Sequence, residues 1–223
     1  MNKKSPAYVL SFMAAICLVF GTGIAIVNYS TQGLLARNAA LHRNRVLCRA
    51  FDLPVDGTSA EAYQAAVDAN LSAAEVGTGP GRRMRYTETG PGRDGVGYTF
   101  GGMGFWDRID GIVVLSPDLR TIRNVQFFDQ KETPGLGARI EEPWFTKQFQ
   151  GLEIDWKAPA DRRIVVAANP APNAANEVDA ITGATQTSMA LMRFLNEELV
   201  QIRELDASAP AQSSAAATLT SDP

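Results

Sequence analysis

The chain has 223 residues, 21 Lys and Arg against 24 Asp and Glu, and a formal net charge of −3, with a pI near 5.3. That length buries one real core and excludes several. The acidic balance offers no dominant basic surface for phosphate neutralisation and so excludes a nucleic-acid partner.

From the N-terminus, Ala7 to Val27 is an uncharged run of Ala, Val, Leu, Ile, Phe and Gly. At about 1.5 Å per residue it reaches roughly 30 Å, the hydrocarbon thickness of a bilayer, and predicts a transmembrane helix in contact with lipid over 7–27. Residues 1–6 form a short basic start with Lys3 and Lys4. A cleaved signal peptide is the alternative, but the run exceeds a usual signal core and no small-x-small cleavage site follows. Lys3 and Lys4 place the N-terminus in the cytoplasm, whereas Arg37, Arg43, Arg45 and Arg49 on the far side oppose a simple positive-inside count. A juxtamembrane helix over 28–45 that touches lipid headgroups accounts for the Arg group.

A helix is expected from about Leu34 to Phe51, and another, capped by Ser59, over Glu61 to Ala74. Gly77 to Gly95, rich in Gly, Arg and Pro, reads as loop. Strands are expected at 97–100, 111–115 and 122–128, with Ser116 to Arg120 as a hairpin link. A short helix over Glu141 to Phe149 starts around Pro143. A strand at 163–167 and a loop at 169–173 lead to a C-terminal helix, and 206–223 is an Ala, Ser, Pro and Thr tail expected to be disordered. Helices around consecutive strands indicate an α+β domain over 46–205 with a mainly antiparallel sheet flanked by helices.

Cys17 lies in the apolar run and Cys48 beyond it, without Cys-x-x-Cys spacing, so no disulfide, metal or iron–sulfur site is expected. His42 is the one histidine. It stands beside the membrane segment, which argues against a Ser-His-Asp hydrolase.

The C-terminal helix carries the strongest chemical signal. Ser188, Leu191, Met192, Leu195, Leu199 and Ile202 recur at the spacing of one apolar face, with Arg193, Asn196, Glu197 and Glu198 off it. The helix therefore begins near Gly183 to Thr185, with Thr182, Thr185 and Thr187 around its start. Unpaired N–H groups and the positive end of the helix dipole favour an anion there, a phosphate above all. Gly183 and Ala184 leave the backbone accessible, and Thr182 or Asp179 can cap it. Upstream, Glu132-Thr-Pro-Gly-Leu-Gly137 contains Pro134-Gly135, a tight turn, and Gly135 and Gly137 permit positive φ and close backbone approach. Taken one at a time, these are also the patterns of an ordinary helix cap and an ordinary turn.

Together they resemble a known family. Asp179-Ala-Ile-Thr-Gly-Ala-Thr-Gln-Thr187 is similar to the flavinylation motif Asp-x-x-Ser/Thr-Gly-Ala-Thr-x-Ser/Thr of the covalent FMN-binding domains in the C subunit of the sodium-translocating NADH:quinone reductase (Nqr) and the G subunit of the Rnf complex. Glu132 to Gly137 resembles the second signature of that family. Gly104-Phe-Trp-Asp-Arg-Ile-Asp-Gly111 and Arg43 to Leu53 are similar to the type found in the Nqr C subunit, and the likeness covers most of residues 40 to 205. The resemblance implies FMN joined through a phosphoester to Thr187, not to Thr185 or Thr182. It assigns Asp179, Thr182, Gly183, Ala184 and Thr185 to the phosphate end, and Glu132, Thr133, Pro134, Gly135, Leu136 and Gly137 to a wall of the flavin pocket. Trp106 is a candidate to border the ring, although a Trp beside a strand is commonly packing.

The resemblance further implies a single-pass protein of the cell inner membrane, N-terminus inside and flavin domain outside. Its partners would be the other membrane subunits of an Nqr- or Rnf-type complex, with maturation by a flavin transferase acting on FAD. The chain would carry electrons without a complete active site of its own. It has no Gly-x-Gly-x-x-Gly between a strand and a helix for NADH, and its single span lacks an internal ionisable residue for ion transport. An Rnf G subunit, another extracytoplasmic flavin carrier, and a membrane-anchored assembly domain that never receives flavin are the other readings.

Overall fold

The structure is a computed structural model that describes residues 5–171 and 174–208. The chain divides into two compact units, 1–44 and 45–223.

The first unit is helical. α1 runs Pro6–Ala50, 45 residues, and the last six of these belong to the second unit. Its apolar stretch has a mean hydropathy of 2.4 and no buried residue among those described. Leu10, Leu18, Phe20 and Ile24 are all exposed. The helix is uninterrupted, so the separate helix expected to begin near Leu34 is a continuation of α1. No Pro occurs between Pro6 and Pro54 to break the hydrogen-bond ladder.

In the second unit, α2 (Ala60–Asn70) begins at Ser59, whose side chain accepts from the Ala62 N–H at 3.1 Å. Six strands then form an antiparallel sheet in the order β1 (Leu71–Val76), β2 (Arg83–Glu88), β3 (Val96–Met103), β4 (Arg108–Leu115), β5 (Thr121–Asp129), β6 (Leu152–Glu153). A separate parallel pair joins β7 (Val165–Ala167) to β8 (Glu177–Asp179). α3 (Pro143–Thr146) is a single turn between two 3-10 segments, so the helix expected over 141–149 is broken into three. α4 covers Thr185–Ser208.

One further expectation is corrected and another refined. Glu61 to Ala74 is not one helix: it ends at Asn70, and Leu71 to Val76 pairs with β2, Leu71 opposite Glu88. Residues 77–95 are loop and turn over most of their length, as expected, but Arg83–Glu88 within them forms β2, a strand that was not expected. In both cases strand pairing overrides local propensity: Ser-Ala-Ala-Glu prefers helix in isolation, and β2 presents mainly polar side chains around Met84 and Tyr86.

Both faces of the sheet are covered. Phe51, Leu53, Val67 and Leu71 pack with Ile112 and Val114 on one face, while α4 packs with Ile109, Val113 and Leu115 on the other. This double burial explains why β4 reads Ile-Val-Val-Leu instead of alternating, since successive side chains enter opposite cores. Leu191, Leu195, Leu199 and Ile202 of α4 are fully buried, as the periodicity predicts.

Asn196 does not lie off the apolar face as expected; it is fully buried. Its amide oxygen accepts from the Ile164 N–H at 3.1 Å, and its amide nitrogen donates to the carbonyls of Ile164, Met192 and Asp161. A buried amide is tolerated because its bonds are made. Residues 206–208 are helical, and the remainder of the tail lies outside the described residues. The Tyr98 hydroxyl donates to Asp206 at 2.7 Å, and Arg83 pairs with Glu198 and donates to Gln201 at 2.7 Å, which ties α4 to the sheet.

Candidate functional site

β3 and β4 form a hairpin in which Met103 pairs with Arg108, so Gly104 to Asp107 is its tip, closed by the Gly104 N–H donating to the Asp107 carbonyl at 2.9 Å. Phe105 and Trp106 stand exposed there, their rings edge to face at 5.1 Å. The chain leaving β5 passes under this tip and delivers Glu132.

Glu132 is 4% exposed and Thr187, in the first turn of α4, is 3% exposed. The Thr187 hydroxyl donates to Glu132 Oε2 at 2.6 Å. Glu132 Oε1 accepts from the N–H groups of Phe105 and Trp106 at 2.9 and 3.0 Å. One carboxylate thus joins the three segments of the site. An ionised carboxylate accepting an O–H at this distance is a charge-assisted contact, stronger than a neutral one.

Glu132 to Gly137 folds as the Pro-Gly sequence dictates. The Leu136 N–H donates to the Thr133 carbonyl at 3.1 Å, with Pro134 and Gly135 central and Gly135 at φ 75°, which is the residue order of a type II turn. Gly137 serves another purpose: it has no positive φ, but a Cβ there would lie 2.5 Å from Thr187 Oγ1 and 2.8 Å from Glu132 Oε2. Its missing side chain is the space in which the two meet. At the helix start Gly183 has φ 83°, and a Cβ on it would come 3.2 Å from Leu136 Cδ2. The two distant segments therefore touch.

A cavity of about 340 Å³ opens between them, lined by Phe105 and Trp106, by Glu132, Thr133, Leu136 and Gly137, and by residues 183–187. Its volume falls among those of small-molecule sites, roughly 300–1,000 Å³. Its polar atoms converge at the Thr187 end, and Phe105, Trp106 and Leu136 form an apolar rim. The N–H groups of the first helical turn have no partner inside the helix and suit an anion.

The structure gathers eight of the predicted residues here: Trp106, Glu132, Thr133, Leu136, Gly137, Gly183, Ala184 and Thr185, with Thr187 itself. Pro134, Gly135, Asp179 and Thr182 do not line the cavity. Pro134 and Gly135 shape the turn. Asp179 is exposed, and its backbone N–H and C=O are held by the Gln148 side chain at 2.7 and 3.4 Å. The hydrogen bond across the helix start comes from Ser188, whose hydroxyl accepts from the Ile181 N–H at 3.1 Å, in place of the cap expected from Thr182 or Asp179. Ser188 serves because its side chain is buried against this segment, whereas Thr182 faces outward.

Sequence reasoning did not nominate Phe105, Gln186 or Gln148. Phe105 carried a signal, an aromatic pair directly after a glycine at a hairpin tip. Gln148 carried none, because its contact lies 31 positions away.

Residues 104–200, a span containing this whole cavity, match the model of the FMN-binding domain. The match covers less than half of the chain. Relatives of the chain are named as the C subunit of Na(+)-translocating NADH-quinone reductase. That from Pasteurella multocida is 37% identical over 89 residues, covering 40% of this chain and 34% of the relative. That from Pseudomonas aeruginosa is 29% identical over 195 residues, covering 78% and 74%. The matches span about a third of the length of the first curated relatives, 34% and 36%. Among solved structures, the C subunit of the Parabacteroides distasonis reductase superposes with a TM-score of 0.65 at 21% identity, over 79% of this chain and 97% of that one. The Shewanella oneidensis protein, NqrC, gives 0.63 at 17% identity, over 74% and 96%. These two likenesses concern the fold: an α+β domain with an antiparallel sheet.

The residues lining the cavity fit the group that this family model is named for. A flavin mononucleotide combines a flat apolar ring with a phosphate. The cavity combines an apolar rim with a hydroxyl and helix-start N–H groups.

Proposed function

We propose that the chain is a membrane-anchored electron-transfer protein of the NqrC type, carrying FMN through a phosphoester to Thr187. One observation carries this reading: within an FMN-binding domain, a buried threonine hydroxyl lies at the closed end of a cavity where a helix start meets the Glu132–Gly137 turn. Thr187 is favoured over its neighbours because Thr182 lies outside the cavity and Thr185 is exposed to solvent. In this role Thr187 is an attachment point, Thr185, Gly183 and Ala184 flank the phosphate, and Leu136, Trp106 and Phe105 face the ring. FMN supplies the electron chemistry, and the chain sets its position.

A covalent tether keeps the cofactor in place whatever the free flavin concentration, which suits a domain outside the cytoplasm. The apolar part of α1 is long enough to cross a bilayer. We assign it as the anchor over 7–27, with 28–45 juxtamembrane, 46–205 as the extracytoplasmic flavin domain and 1–6 in the cytoplasm. The proposed partners are the bilayer, the other subunits of an Nqr-type membrane complex, which would hold the NADH site and the ion pathway, and a flavin transferase for maturation. The names of the relatives support Nqr over Rnf.

Intact mass spectrometry tests the reading. Protein made in a host with active flavin transferase should carry one FMN less one water, with the modified peptide containing Thr187, and its in-gel fluorescence should survive SDS. A dark wild-type band, or fluorescence undiminished in Thr187→Ala, would reject it.

A further inference from the structure

We infer that Glu132 is the proton acceptor for esterification of Thr187, so that the chain brings its own general base to the attachment reaction. The inference rests on the reading of Thr187 as the attachment residue and adds a chemical role for a second side chain.

A threonine hydroxyl is a weak nucleophile until its proton is taken up during attack. A base for that purpose must lie within about 2.6–3.2 Å of the oxygen. Glu132 Oε2 accepts the Thr187 hydroxyl at 2.6 Å. Among the residues lining the cavity, Glu132 alone has a titratable side chain. No histidine, the commonest biological base, lines the cavity.

The carboxylate is also aimed. Two backbone N–H groups hold Oε1, those of Phe105 and Trp106, and leave Oε2 to face Thr187. A Cβ on Gly104 would sit 2.5 Å from Oε1, and one on Gly137 would sit 2.8 Å from Oε2. The backbone on both sides is thus shaped around this one group.

In the step, Thr187 Oγ1 bonds to the flavin-side phosphorus of a flavin adenine dinucleotide and displaces AMP by breaking the P–O–P anhydride, whose electron pair leaves with AMP. Glu132 Oε2 receives the hydroxyl proton. No oxidation occurs, and charge balances: Glu132 becomes neutral as the new monoanionic phosphodiester forms.

The test uses the purified full-length apo chain in detergent, a purified flavin transferase, Mg²⁺ and FAD, with covalent incorporation followed by SDS-resistant fluorescence and intact mass. Wild type should label at Thr187. Glu132→Gln keeps an oxygen for the two N–H groups but cannot take the proton, and should slow incorporation by about 10²-fold or more. A rate within tenfold of wild type would overturn the inference while leaving Thr187 as the attachment site; an unlabelled wild type would overturn the underlying reading as well. If Glu132→Gln lowers the melting temperature, Glu132→Ala with added formate decides. Recovery of labelling with formate but not with chloride is expected of a lost base, and absence of recovery would overturn the inference.

Discussion

At the scale of single residues the site depends on how closely Glu132 and Thr187 approach, and Gly137 sets that distance. Gly137→Ala would place a methyl group 2.5 Å from Thr187 Oγ1 and 2.9 Å from Glu132 Cβ, both in buried side chains. We expect a loss of about 1–3 kcal/mol, the usual cost of overpacking, read as a lower denaturation midpoint at unchanged slope. Gly135→Ala tests a different cause, a positive φ with open space beside it. It should cost about 1 kcal/mol through backbone strain and leave the Thr187–Glu132 contact intact. The residue types at 135 and 137 were legible as glycine requirements, but the separate reasons were not. One is a local turn rule, and the other is a contact with a residue 50 positions away.

At the scale of elements, α4 shows how much a periodic pattern conveys. Its apolar stripe placed the helix and its buried face. The pattern treated Asn196 as solvent-facing because polarity was its only measure. In the fold that amide satisfies the N–H and C=O of Ile164 and the C=O of Asp161. Asn196→Ala should therefore cost about 2 kcal/mol or more, since it leaves buried Ile164 groups unpaired, and thermal unfolding of the variant would register it. A second element-level prediction concerns the far end of α4. Burial, and then the hydrogen bond to Asp206, pushes the Tyr98 hydroxyl well above its ordinary range. A raised value in the fold means that stability is full while the unfolded chain keeps its tyrosines protonated, and falls as pH rises beyond about 10. Urea midpoints at about pH 8 and about pH 11 should diverge less in Tyr98→Phe than in wild type. Glu198 is likewise raised, burial outweighing the neighbouring Arg83. The Arg83 pair thus fixes the position of α4 on the sheet more than it adds to stability.

At the scale of the whole molecule, the two compact units differ in what they bury. The buried apolar core lies between Val46 and Ile202, whereas the side chains of the apolar run in α1 are exposed. A fragment beginning at Arg45 is expected to fold and remain in the supernatant after ultracentrifugation. The full chain should sediment with membranes and resist alkaline carbonate. An alkaline phosphatase fused after residue 208 should be active if the flavin domain is extracytoplasmic, and its inactivity would reverse the assigned orientation.

The sequence by itself determined what depends on short-range rules: an apolar run of bilayer length, the α4 stripe, the Pro134-Gly135 turn, the central strands and two motifs whose likeness indicated flavin. It misread β1 and β2, because their pairing partners, not their own propensities, made them strands. Only the tertiary structure decided that Glu132 faces Thr187, that Phe105 joins Trp106 at the cavity rim, and that Asp179 stands outside it. The physical reason is range. Turn and helix preferences act within a few residues, whereas the hydrogen bond from Thr187 to Glu132 spans 55 positions and exists because the sheet and α4 bring both ends together.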